Sequence, residues 1–400
     1  MMQSAGNDVP LRFGTPEQFA QVVAALRDAD FTEASILGTL KLNDMSDLGA
    51  ANSSNTDLSH LDPRLSVFLR LFLFFEPVAV LELESVLGRP TLDAFLALDI
   101  LRSVDDSGAT YYTSVFLYPV ADLYMASDRP LGLTSTEARP DDWVFPAIFE
   151  GTLDFLRLLP KSPADEALDL CSGSGIAALV LSRNAARAVA ADLTPRATHY
   201  ARFNRILNGR SNVEVVQGDL YDAVPGRTFD RIVAHPPYVP ALRNQAIYRD
   251  GGVTGEHLVR RIVEGLPRHL RCGGTYFGLS LNIDTAAAPF EERARRWLGP
   301  AQSEFDMVLA TSIEKTSESV MQRVAERYAS VDATDLARMR DALENIGATR
   351  FVYGALAVRR RTPADRAKPC TVRTRMSDAT IGADLDELLR TSGGASAGRS

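Results

Sequence analysis

The segment EALDLCSGSGIAALVLSRNAARAVAADLTP, residues 166–195, restricts the fold more than any other part of the chain. An apolar run ends at Leu170, a loop of small residues carries Gly173 and Gly175, a helical pattern starts near Ile176, and a second apolar run ends at Asp192. Strand, glycine turn, helix and strand make a βαβ unit, which requires parallel pairing and helices on the faces of the sheet. The alternation continues. Strand patterns recur at VEVVQGDL, RIVAHP and TYFGLSL, with helical patterns at 144–158, 175–186, 195–208 and 255–270. A late pair of strand patterns, FDMVLATSI and RFVYGALAVRR, completes a parallel-type α/β domain over 144–361.

The first 127 residues follow a different rule. TPEQFAQVVAALRDA opens with a Thr cap and Pro16 at the first helical position. LSVFLRLFLFF, VAVLELESVLG and TLDAFLALDILRSV then carry helical periodicity, and a β-ribbon pattern turns around Asp-Ser-Gly. Together they resemble a winged-helix unit. A DNA-reading role would need cations on the third helix, where Arg102 is the only basic side chain, so a lid or partner-docking module is the reading preferred. Residues 128–143 read as a linker, and 362–400 as a polar tail expected to be partly disordered.

Charge sharpens this division. Residues 1–150 hold 22 acidic and 9 basic residues, a net −13, against +5 for the remainder. The N-terminal part is therefore a poor surface for phosphates. Residues 350–375 hold eight Lys or Arg and one acid, a solvated strand end or a footprint for an acidic macromolecule. Three cysteines show neither metal-ligand nor disulfide spacing, which fits a cytoplasmic setting, and no metal site is expected. The longest apolar run is too short for a membrane span, and no secretory signal pattern is visible.

GSGIAA alone fits a dinucleotide fingerprint. Its neighbours argue otherwise, because Asp169, just ahead of the loop, would repel a pyrophosphate and suits a cationic ligand bearing an amino group. S-adenosylmethionine (SAM) has that group beside a positive sulfonium. Asp192 stands where a carboxylate can accept both ribose hydroxyls, and Asp219 where one can accept an adenine amino group. Three acids then end three successive strands and face one crevice.

With these motifs the domain over 144–361 resembles the class I SAM-dependent methyltransferases, whose fold is a Rossmann-like seven-stranded sheet. DLCSGSG resembles their D-x-G-x-G-x-G motif, with Cys171 in place of the first Gly. The resemblance implies a cofactor site of Asp169, Cys171, Gly173, Gly175, Asp192, Leu193, Asp219 and Leu220. HPPY at 235–238 resembles the N-P-P-Y motif of the release-factor glutamine methyltransferases and the adenine- and guanine-directed enzymes. It implies that His235, Pro236 and Tyr238 hold the acceptor.

His235 replaces the usual Asn. A neutral imidazole accepts a hydrogen bond through one ring nitrogen, or takes a proton near neutral pH. Tyr238 reads as an aromatic wall. In the segment after the fourth strand, Tyr248 and Arg249 border the acceptor pocket, with Arg249 either a clamp for a carboxylate or phosphate or a partner of Asp250 or Glu256. The function expected is methyl transfer to a nitrogen or oxygen of a small molecule or protein side chain. An RNA or DNA amino-methyltransferase, a non-catalytic SAM-binding regulator and an NAD-linked oxidoreductase are the alternatives.

Overall fold

The computed structural model describes residues 9–50, 56–130, 140–241, 246–327, 333–376 and 389. Helix α1 (Pro16–Asp28) starts from a Thr15–Gln18 capping box with Pro16 in its first turn, as its sequence predicts. After α2 (Glu33–Leu40) come α3 (Pro63–Phe68), which widens into a π turn at Leu69–Leu73, a two-residue strand β1 (Val78–Ala79), and α4 (Val80–Leu87). Helix α5 (Arg89–Ala97) and strands β2 (Leu101–Ser103) and β3 (Thr110–Thr113) complete a small sheet in the order β1-β3-β2. Arg102 lies on β2, not on the third helix, because α5 ends at Ala97; its guanidinium bonds Asp99 at 2.6 and 2.8 Å.

The expected single ribbon is two hairpins. The second, β4 (Phe116–Val120) and β5 (Leu123–Ser127), is almost entirely buried and lies against the C-terminal domain.

That domain contains α6 (Glu150–Leu158), β6 (Ala164–Leu170), α7 (Ile176–Leu181), β7 (Ala185–Asp192), α8 (Pro195–Leu207), β8 (Val213–Gln217) and β9 (Phe229–Ala234). Next come α9 (His257–His269), β10 (Leu270–Thr285), α10 (Phe290–Trp297) and β11 (Phe305–Thr316). Finally come α11 (Ser317–Arg327), α12 (Ala333–Asn345), β12 (Ala348–Arg360) and β13 (Thr371–Arg375). The strands form one eight-stranded sheet in the order β13-β11-β12-β10-β9-β6-β7-β8. β12 runs antiparallel to both neighbours, and the other pairs are parallel.

The expectation of seven strands is corrected by β13, which pairs with β11 inside the stretch read as a polar tail. The terminal SGGASAGRS lies outside the described residues. The basic run is also reassigned. Arg350, Arg359, Arg360, Arg361 and Arg373 pair with acids, including the buried Asp284 and Asp306. Buried carboxylates require such partners, so most of this positive charge is spent internally rather than offered to a nucleic acid.

Apolar side chains cover both faces of the sheet. One cluster runs from Phe31, Phe68 and Phe95 through Phe116 and Tyr118 to Tyr200 and Phe203, joining the N-terminal helices to α8. The other holds Leu168, Ile232, Ile262 and Phe290. Asn204 and Asn208 of α8 pair with the edge of β5: each accepts a backbone N–H, from Ala126 and Tyr124, and donates back to the same residue's carbonyl, at 2.7–2.9 Å. Both side chains satisfy an otherwise bare strand edge.

Candidate active site

β6 pairs with β7 on one side and β9 on the other, so the strand order reverses at β6. Open α/β sheets bind ligands at this point, beyond the carboxyl ends of the strands. The loop after Leu170 takes a left-handed path through Cys171 (φ 57), Gly173 (φ 53) and Gly175 (φ 84). Gly175 also permits close packing, since a Cβ there would sit 3.0 Å from that of Ala201. A Cβ at Gly173 would meet nothing within 4 Å, leaving room above the loop. Cys171 holds left-handed backbone, which glycine adopts without penalty and cysteine does not.

The acids lie where the sequence predicts. Asp192 accepts from Gly173 N–H at 2.9 Å and Thr194 N–H at 3.0 Å, tying the loop to the end of β7. Burial raises its pKa. Asp169 accepts from Ala178 N–H at 3.1 Å and is 2% exposed. Burial, with a smaller contribution from the Asp192 charge, pushes its pKa up to about 8. Burial followed by the charges of Asp192, Asp169 and Asp219 raises the Cys171 thiol. Neither Asp169 nor Asp192 has an ion-pair partner among the described residues, which suits a cationic ligand.

Asp219 carries a partner the sequence did not suggest. Arg261 of α9 holds both carboxylate oxygens, at 3.0 and 2.9 Å. The doublet Arg260-Arg261 gives no sign of which residue turns inward; Arg260 bonds Glu264 on the exposed side. Leu193 is 50% exposed beside Asp192, whereas Leu220 is buried under its own turn.

The other wall begins at the end of β9. His235 packs its ring 5.2 Å from Phe155 of α6 and 5.7 Å from Tyr238. Its Nε2 is buried and has no hydrogen-bond partner among the described residues. Burial lowers its pKa to about 4. Proton uptake near neutral pH is therefore set aside, and hydrogen-bond acceptance by a neutral ring remains.

Helix α6 lies over this ledge, with Gly151 and Phe155 facing it. A Cβ on Gly151 would sit 3.1 Å from the Tyr353 hydroxyl, 3.6 Å from that of Tyr238 and 3.7 Å from His235 Cε1. The ledge is braced from behind by residues 246–255. Val239 N–H donates to Arg249 O at 3.0 Å and Gly251 N–H to Val239 O at 2.9 Å. A Cβ on Gly251 would lie 2.8 Å from Pro237 O and 2.7 Å from Tyr238 Cα.

Arg249 takes the pairing alternative, donating to the buried Asp250 at 2.7 Å. Tyr248 sits on a rim, 5.1 Å from Trp143 and 6.0 Å from Phe145. Phe145 and Phe149, with ring centroids 4.2 Å apart, are 38% and 37% exposed there. Phe155, Tyr353 and Gly151 were invisible as site residues because they come from distant segments. A cleft of about 600 Å³ abuts the 251–255 loop, lined by His257, Arg260, Arg293 and Trp297, and contains none of the strand-end acids. Among the described residues no cluster suits a metal ion, and no helix is long and apolar enough to cross a membrane.

Over this domain the chain is similar to several known proteins. Residues 147–279 match the family described as the methyltransferase small domain. A ribosomal protein uL3 glutamine methyltransferase from Bordetella pertussis is 33% identical over 164 residues, covering 37% of this chain and 54% of that protein. A release factor glutamine methyltransferase from Thermodesulfovibrio yellowstonii is 30% identical, covering 32% and 51%. One from Koribacter versatilis is 31% identical, covering 36% and 55%. The chain spans about half the length of the curated relatives it matches. Residues 147–279 are thus similar to a family whose members use SAM as methyl donor.

Proposed function

We propose that the protein transfers a methyl group from SAM to a side-chain amide nitrogen of a protein, a glutamine being the acceptor best matched. The orphaned Nε2 of His235, buried at a ledge next to the acid-lined crevice, carries this reading. When bound, SAM supplies a methyl group already activated by its positive sulfur. Asp169 receives the amino group of its methionine part, Asp192 the ribose hydroxyls and Asp219, steadied by Arg261, the adenine edge. Leu193 offers the base an apolar surface.

An amide nitrogen is a poor nucleophile because its lone pair is delocalised. His235 Nε2, in the Nδ1–H tautomer, accepts one N–H of the acceptor amide, while a carbonyl of the Pro236-Pro237 turn accepts the other. Tyr238 stacks on the amide plane. These contacts aim the lone pair at the methyl, and such positioning can supply several kcal/mol of rate, out of roughly 7–11 for a well-oriented pair.

The exposed aromatic rim of Phe145 and Phe149 suits a polypeptide better than a small metabolite. The order helix, strand, helix, helix, strand, strand, with the sheet β1-β3-β2, supports a winged-helix reading of the N-terminal domain. The net −13 of residues 1–150, which include it, favours docking of protein rather than nucleic acid, in a cytoplasmic setting.

The curated relatives are named for release factors and ribosomal protein uL3. Incubating the enzyme with methyl-labelled SAM and each of these proteins, followed by mass spectrometry, should place the label on a glutamine. Label confined to the metabolite or RNA fraction of a cell extract would contradict the proposal.

A further inference from the structure

The stretch expected to be a linker begins with a buried acid. Asp128 is 6% exposed, and its carboxylate accepts four hydrogen bonds. Two come from Arg196, from Nε at 2.8 Å and Nη2 at 2.5 Å. A third comes from the Tyr200 hydroxyl at 2.8 Å, and the fourth from Val144 N–H at 2.8 Å. A flexible connector has no use for such a constellation.

Its two sides lead to the two halves of the site. Arg196 and Tyr200 belong to α8, whose cap Thr194 donates its N–H to Asp192. Val144 opens the segment that runs into α6, the helix resting on His235 through Gly151 and Phe155. Tyr118, fully buried on β4, accepts Ala147 N–H at 2.6 Å and fixes the same segment again. The approach to α6 is therefore fastened at Val144 and Ala147, both times by side chains N-terminal to it.

We infer that Asp128 is a positioning residue that sets the α6 cover over the acceptor ledge and ties it to the cofactor-side helix α8, with Tyr118 as its second anchor. This role rests on the methyltransferase reading. It gives the N-terminal hairpin a part in catalysis without contact with either substrate. Removing the Asp128 charge should let the cover lift, admitting water to the His235 ring while the strand-end acids stay in place.

The histidine imidazoles of labelled protein, titrated by NMR, test this, with His235→Gln identifying the resonance among the five histidines. In the wild type His235 should stay neutral down to about pH 5, given its burial. In Asp128→Asn its midpoint should rise by at least about one unit toward the ordinary value. Tyr118→Phe, which keeps the ring volume and the Asp128 cluster, should move it the same way by less. If both variants melt cooperatively and His235 titrates as in the wild type, Asp128 is only a stabilising pair and the inference is wrong. Should Asp128→Asn fail to fold, Tyr118→Phe decides alone: a rise supports the inference and none overturns it. Calorimetry of wild-type protein with S-adenosylhomocysteine (SAH) separates the two claims. Absence of binding would sink the methyltransferase reading, whereas the His235 titration still reports on the cover.

Discussion

The cofactor crevice and the acceptor ledge lie side by side and are built on opposite principles. The crevice collects carboxyl groups from the ends of three consecutive strands, and Asp169 and Asp192 are buried enough to be raised in pKa. The ledge is aromatic and uncharged, with a His held neutral between Phe155 and Tyr238. Asp169 and Asp192, without an ion-pair partner among the described residues, suit a cation, whereas an apolar ledge with one orphaned acceptor suits a planar N–H donor. On the proposed reading, their difference puts the methyl donor on one side and the acceptor on the other.

The largest effect should come from the ledge alone. His235→Ala is expected to lower methyl transfer at least a hundredfold while leaving SAH affinity within about threefold, and His235→Asn should restore part of the rate. Turnover that survives the alanine would reduce the ledge to scaffolding. Gly251→Ala should cost about tenfold or more in turnover, because the new Cβ meets the backbone at Pro237 and Tyr238. If SAH affinity falls by as much, the two regions are not separable.

Protons provide a finer distinction. Asp169, with a pKa raised to about 8, is mostly protonated at pH 7. A cationic ligand favours the carboxylate, so SAM binding at pH 7 should release close to one proton, read from the dependence of the binding enthalpy on buffer. Uptake, or no exchange, would remove Asp169 from the cation's partners. On the acceptor side, His235 with a pKa lowered to about 4 should leave turnover with no histidine limb between about pH 5.5 and 8. The same lowered pKa means that the unfolded chain binds this proton more readily, so the contribution of His235 to stability should be lost as pH falls from 6.5 toward 4.

The smallest effect concerns Cys171. Its left-handed φ of 57 costs about 1–2 kcal/mol, partly offset by the entropy a glycine would lose on folding. Cys171→Gly should therefore stabilise the protein by no more than about 1 kcal/mol and leave SAH affinity unchanged.

The same comparison explains what was legible in the sequence. The crevice comes from strand ends, where one short motif carries glycine turn, acid and helix start together. Asp169, Gly173, Gly175 and Asp192 could therefore be read without coordinates, as could the core strands and α8 and α9 to within a few residues, whereas the helix expected over 144–158 starts only at Glu150. Arg261 escaped because a helical Arg doublet does not reveal its inward member. The ledge draws on contiguous HPPY residues, but its cover and brace come from Gly151, Phe155, Gly251 and Tyr353, whose roles exist only after folding. Asp128 was read as linker because Pro and Gly nearby mark loops whatever the burial of their neighbours. β13 was lost in a polar stretch because its Arg373 is satisfied by acids far away in sequence, Asp284 and Glu291.

The central claim is that the ends of β6, β7 and β8 form a SAM site. Calorimetry of SAH with wild-type protein and Asp192→Ala tests it most directly. One molecule bound per chain, with affinity at least tenfold weaker in the variant, is the predicted result, since ribose hydroxyls would lose a charged acceptor worth roughly 1.5–3 kcal/mol. No binding to the wild type, or equal affinity in both, would contradict it.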